Sequence, residues 1–279
     1  MSQPRSDWLF QTLRGLSLLV LGWAFGAFYG LSGLGLHSVF LPIGTMLLGL
    51  PLLRASAGGW IVITCACVGA VAALSSSLFF HPLILVIWAA YIFGGLAGNV
   101  PVLQKRRHSL RIYLLLFLMA VGAGMIWQAY PTLAEGVFRR TDASINIPPR
   151  GTWLAIWLTG LLAGFIGVLT RLGGSYVLIP ALVLMRVVPH VALWLSLWLT
   201  LPLALLVTVV SVRQSAVSWS QEGWLGAGAF LGGVAGATWA LSFSPGMLVL
   251  CFGVALAAAT FVTWRLVALI ERASATGGG

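Results

Sequence analysis

The sequence predicts an all-α polytopic membrane protein built from two inverted repeats of about five hydrophobic segments each. That is roughly eight to ten transmembrane helices, some short or broken. Three observations predict this. First, hydrophobic residues make up 60% of the 279 residues and charged residues 7%, and the mean hydropathy is +1.03. Several apolar runs are long enough to cross a bilayer. Second, Gly26, Gly35, Pro42, Pro51, Trp60, Gly94, Gly95, Ala97 and Gly98 recur as Gly164, Gly173, Pro180, Pro189, Trp198, Gly232, Gly233, Ala235 and Gly236, every pair 138 apart with no gap. Third, the charges fit an inversion. Five crossings per copy set the second copy upside down. An N-terminus on the inside then places eleven of the fifteen Lys and Arg residues on the cytoplasmic face and four (Arg139, Arg140, Arg150 and Arg186) outside, as the positive-inside rule requires.

The segments of the first copy run over about 15–33, 36–50, 55–78, 82–103 and 110–128, and those of the second over about 153–171, 175–188, 191–212, 223–242 and 246–268. The repeats are therefore expected at 15–128 and 153–270, joined by a linker at 129–152 on the outer face. The second segment of each copy is short for a full span at a rise of about 1.5 Å per residue. It reads as a half-helix or part of a re-entrant hairpin, tolerated where protein or a water-filled cavity surrounds it. Small residues such as Gly122, Gly124, Gly226 and Gly228 suit close helix packing in lipid. Trp8, Trp153, Trp219 and Trp224 sit near segment ends, as interfacial anchors do.

Composition excludes several functions. The net charge of +10 is distributed between apolar runs, with no aromatic-studded basic patch on which a nucleic acid could lie. Cys65, Cys67 and Cys251 are inside apolar runs and form no metal-ligand pattern, so no metal or other cofactor is expected. No GxxxxGK[ST] string supports nucleotide hydrolysis. The N-terminal run from Leu16 looks like a signal peptide, but its Gly22 and Gly26 have counterparts at Gly160 and Gly164, so it belongs to the repeat. The tail from Thr276 to Gly279 reads as disordered.

Chemistry is expected at the two crossovers, Gly30 to Pro42 and Val168 to Pro180. Each breaks at glycines and opens a new helix toward a proline. A helix opened this way presents unpaired backbone N–H groups at its positive dipole end, which is an anion site without a charged side chain. Two such breaks should meet near the midplane. The candidate substrate-binding residues are Gly35, His37 and Ser38 in the first copy, and Arg171, Gly173, Gly174, Ser175 and Tyr176 in the second. Hydroxyls and a guanidinium are good oxyanion donors. Ser32 and Thr170 add further hydroxyls, and Ser56, Thr64, Ser196 and Thr200 lie on the third segments, where they can face a pore or bond back to their own helix. Arg54, Arg186 and His190 lie beside the second prolines and read as interfacial. Arg213 and Glu222 read as an exposed pair flanking a loop. Acids inside the membrane are nearly absent, which leaves His37 as the central proton carrier.

The stretches GLGLHSVFLPIGTMLLGLP and RLGGSYVLIPALVLMRVVPHVALWLS, followed by IFGGLAG and FLGGVAG, resemble the duplicated pattern of the TauE/SafE sulfite exporter family over about residues 16–270. The resemblance implies a multi-pass inner-membrane carrier that exports sulfite, organosulfonates or related small anions. The first break carries Leu36 and His37 where the family has consecutive glycines, and the second carries Arg171 where a small residue is common.

The expected activity is secondary transport of a small anionic substrate, not catalysis. The partners are that anion and the lipid bilayer, and the sequence leaves room for a homo-oligomer. Both termini are expected in the cytoplasm. Two alternatives belong to other classes. The string Gly30-Leu31-Ser32-Gly33 matches the GxSG of rhomboid-type intramembrane serine proteases, which need a histidine base beside the serine. A non-transporting assembly partner for another membrane complex is the other.

Overall fold

A computed structural model describes residues 4–35, 37–46, 49, 51–74, 82–98, 107–131, 153–170, 173–213 and 219–276. Ten helices lie among them: α1 Pro4–Ser32, α2 His37–Met46, α3 Leu52–Leu74, α4 Pro82–Gly98, α5 Arg107–Ala129, α6 Trp153–Thr170, α7 Ser175–Leu184, α8 Pro189–Arg213, α9 Trp219–Ser242 and α10 Pro245–Thr276. The described residues contain no strand. Six helices carry a stretch long and apolar enough to cross a membrane, and α4, α6 and α7 are shorter apolar helices. The offset between the two copies carries α1–α5 onto α6–α10 in order. The short second segments are helices of ten residues each, about 15 Å long and half a hydrocarbon core. Helix α10 takes in Thr276, the first residue of the expected tail, and 277–279 lie outside the described residues. The linker also lies outside them from residue 132 to 152.

The helix breaks fall where the glycines allow them. Gly33 has φ +63° and Gly173 φ +100°, a region that side chains with a Cβ rarely adopt. Gly33 N–H donates to Tyr29 O at 2.7 Å, closing α1. Its last turn is tightened by Ser32, whose Oγ donates to Phe28 O and accepts from Leu34 N–H. Beyond the second break, Gly174 caps α7, and its carbonyl accepts from Val177 and Leu178.

Packing exchanges helices between the two halves of the chain. Helix α1 lies along α9, and α4 lies along α6. A methyl on Gly26 would collide with the Ala229 carbonyl, and one on Gly164 with the Tyr91 carbonyl. Gly26 and Gly164 are corresponding positions of the two copies, as are Ala229 and Tyr91. The pair Gly232 against Trp23 and Gly94 against Leu161 repeats the relation. Contacting residue numbers rise together along each pair, so the helices run parallel. Backbones this close need glycine, because packing density replaces the hydrophobic effect as the driving force in lipid. The antiparallel pair α5 and α10 meets at Gly122 and Gly253, and α3 meets α8 through a Thr64–Thr208 hydroxyl pair at 2.8 Å.

The two exchanged pairs are not seated alike. The α1–α9 pair packs closely on α3: side chains at Gly69 or Gly233 would strike the Phe230 and Ala66 carbonyls. At the equivalent places on the other side, a side chain on Gly95 would meet only Val168, at 3.6 Å, and Ile92 is 61% exposed. Helix α4 touches α8 through Trp88, whose indole N–H donates to Trp198 O at 2.9 Å. One expectation fails here. Arg213 is exposed, but Glu222 is not: it turns into the bundle at 1% exposure, its Cγ close to Gly58 of α3. A charge near a helix end reads as solvated in sequence, but Glu222 falls on the side of α9 that meets α3.

Candidate functional site

The gap between α8 and the α4–α6 pair is a cavity of ≈ 330 Å³. Its floor is the pair of glycine breaks, Gly35 from one copy and Gly173, Gly174 and Ser175 from the other. Its walls are Ser56, Trp60 and Ile63 of α3, Tyr91 of α4, Gly167 and Val168 of α6, and Thr200 and Leu203 of α8.

Direct hydrogen bonds join the breaks. Gly35 N–H donates to Ser175 Oγ at 3.2 Å, and Tyr176 Oη donates to Gly35 O at 2.7 Å. Ser196 Oγ of α8 donates to Gly33 O at 2.9 Å. A glycine break frees backbone groups that must find partners away from water. Here Ser175, Tyr176 and Ser196 provide them, all from the opposite half of the chain. The start of α7 therefore faces the cavity through Gly173, Gly174 and Ser175, with its first N–H groups and its positive dipole end on that side. Tyr91 lies so close over Gly174 that any side chain there would collide with its ring.

The expected site residues divide into three groups. Gly35, Gly173, Gly174 and Ser175 come together on the cavity wall. Tyr176 is fully buried behind it and holds the break. The side chains of His37 and Ser38, and all of Arg171, lie outside the described residues. Of the third-segment hydroxyls, Ser56 and Thr200 line the cavity, while Ser196 and Thr64 make the structural bonds described above. Sequence reasoning missed Trp60, Tyr91 and Gly167 as wall residues. Trp60 carried a signal, since it recurs as Trp198.

Ser32 is 1% exposed and already bonded within its own helix end, and His190 Nε2 pairs with Ala240 O at 3.1 Å. His81, with His190 a histidine that the protease reading would need as a base for Ser32, lies outside the described residues. Among the described residues no group of three or more His, Cys, Asp or Glu is placed to hold a metal ion. Arg54 and Arg186 are exposed.

Apolar helices around a cavity floored by two broken helices define an all-α multi-pass membrane protein. Residues 156–277, which span α6 to α10, match the family model described as sulfite exporter TauE/SafE. The second half of the chain is thereby similar to that family of membrane transporters. No curated protein and no solved structure matches the chain.

Proposed function

We propose that the protein is a secondary transporter that exports small oxyanions, such as sulfite or organosulfonates, across the inner membrane. It works by alternating access of two inverted repeats, 15–128 and 153–270, around one midplane anion site. The observation that carries this reading is the junction of Gly35 with Ser175, at 3.2 Å, on the floor of the cavity. There the first turn of α7 offers backbone N–H groups and a positive dipole end to an acceptor-rich ligand. Ser56 and Ser175 add hydroxyls without adding a fixed negative charge. His37, Ser38 and Arg171 complete the site from the crossover residues. Export of an anion from a negative interior is favoured by about 2.3 kcal/mol per charge per 100 mV. With both termini in the cytoplasm, the basic loops face that interior.

The test is flux of radiolabelled sulfite or sulfoacetate from proteoliposomes under an imposed potential. The expected result is saturable, potential-dependent export, lost in Arg171→Ala although that variant still folds. A folded protein that moves no small anion would refute the proposal.

A further inference from the structure

Two buried hydrogen-bond donors have no partner among the described residues: Tyr29 Oη on α1 and Trp194 Nε1 on α8. Tyr29 is 1% exposed and Trp194 3%. Thr200 and Cys67 lie nearest the Tyr29 hydroxyl and send their own hydrogens to Ser196 O and Leu197 O, and neither the Thr200 oxygen nor the Cys67 sulfur stands in hydrogen-bonding geometry to accept from Tyr29. Leaving a donor dry and unpaired is costly and uncommon. Two in one small protein call for a physical cause.

The repeat supplies the cause. In its register, Tyr29 falls on Gly167 and Trp194 falls on Ser56, and both Gly167 and Ser56 line the cavity. Cys65, moved likewise, falls on Leu203, a third wall residue. The orphaned donors thus occupy the wall positions of a cavity that would lie between α3 and the α1–α9 pair. That place is closed. Gly226 of α9 sits against Cys65 Sγ, 3.1 Å from where its Cβ would be, and Gly233 abuts the α3 backbone.

We infer that Tyr29 and Trp194 are anion-binding donors of a second half-cavity, closed in this state, through which the oxyanion passes on the opposite side of the membrane. This rests on the transport reading above. Opening the second cavity requires the α1–α9 pair to lift from α3 as the α4–α6 pair stands off α8 now. The ligand class follows from the donors. An indole N–H can only donate, and a phenol at neutral pH keeps its proton, so both suit a ligand that only accepts, as a small oxyanion does. The two halves would hold the anion differently: by hydroxyls and backbone N–H groups on the open side, by a phenol and an indole on the closed one.

Tyr29→Phe removes one donor with little change of shape and breaks no hydrogen bond of the present state; Trp194→Phe removes the other donor but also shrinks a buried side chain and leaves a void. Thermal stability is expected to be unchanged or raised in Tyr29→Phe and lowered in Trp194→Phe, while sulfite flux falls about tenfold in each, the size of one lost bond to a charged ligand. Flux at the wild-type level in both variants would overturn the inference while leaving the transport reading intact. A second measurement does not depend on flux. In a Cys67→Ala, Cys251→Ala background, Cys65 is the sole thiol, and a membrane-impermeant maleimide should label it when the second cavity opens. Labelling should vanish once Gly226→Cys is oxidised onto Cys65. No labelling of Cys65 from either side, with sulfite present or absent and at either sign of potential, would equally overturn the inference, even if no anion is transported.

Discussion

The side of the bundle where α1 and α9 meet α3 and the side where α4 and α6 meet α8 are built from corresponding positions, yet one is shut and the other open. On the shut side Gly69 and Gly233 bring α3 and α9 to backbone contact. On the open side the positions of Gly69 and Phe230 are held by Val207 and Ile92, and Gly95 has little beside it. Within each exchanged pair the relation is preserved: Gly26 on Ala229 matches Gly164 on Tyr91. The two pairs therefore share one internal geometry, and the difference lies in how each pair seats on its third helix. Packed interfaces of this kind tend to have discrete arrangements, because close-packed surfaces deform poorly. The proposed cycle exchanges the two seatings.

The largest effect should come from filling the close approaches. Gly233→Val places methyl groups into the Ala66 carbonyl, and over-packing of that kind costs about 1–3 kcal/mol or more. Gly95→Val, its counterpart, has room in the present state. Thermal unfolding in detergent should show a large loss for Gly233→Val and little for Gly95→Val. Flux should fall in both, because Gly95→Val obstructs the seating that the other half of the cycle needs. Equal destabilisation by the two substitutions would show that the two sides are packed alike, contrary to the structure.

Cross-linking sharpens the same comparison. Gly226→Cys should join native Cys65 readily, since the sulfur already lies 3.1 Å from the new Cβ position, well within disulfide reach. Gly95→Cys with Ala204→Cys is the equivalent of a Gly233–Ala66 bridge and should form only when α4 docks on α8. Each oxidised bridge should abolish sulfite export, and reduction should restore it. Export that continues with the Gly226–Cys65 bridge closed would separate transport from this motion.

Much of this arrangement was legible in the sequence, and the limits have physical causes. The breaks were readable because Gly35, Gly173 and the two proline pairs keep one constant spacing, and glycine is required where Gly33 and Gly173 take positive φ. The exchange of α1 with α9 was not read, although Gly22, Gly26 and Gly30 at four-residue spacing mark one face of α1 for close approach. Spacing identifies such a face but not its partner. Glu222 was misread because charge near a helix end is normally solvated, and only tertiary cover buries it. Its counterpart, Ile84, is as deeply buried, so comparing the two copies where they differ would have flagged the position. The same comparison sets Tyr29 against Gly167. A matching scan looks for agreement, and these positions carry information by disagreeing.

The smallest effect concerns the axis between the two sides. Helices α3 and α8 correspond to one another, and the Thr64–Thr208 bond joins them at 2.8 Å. Its counterpart positions hold Pro202 and Ala70, so the bond occurs once and favours neither seating. Interhelical hydroxyl bonds in membranes contribute about 0.6 kcal/mol on average, because each hydroxyl can turn back to its own helix. Thr64→Val should therefore lower the unfolding temperature slightly. The yield of the Gly226–Cys65 bridge should not change. A substitution here that altered the bridge yield would mean that the axis takes part in the choice of state, and the contrast between two seatings on a fixed pair of helices would give way to a rearrangement of all three contacts together.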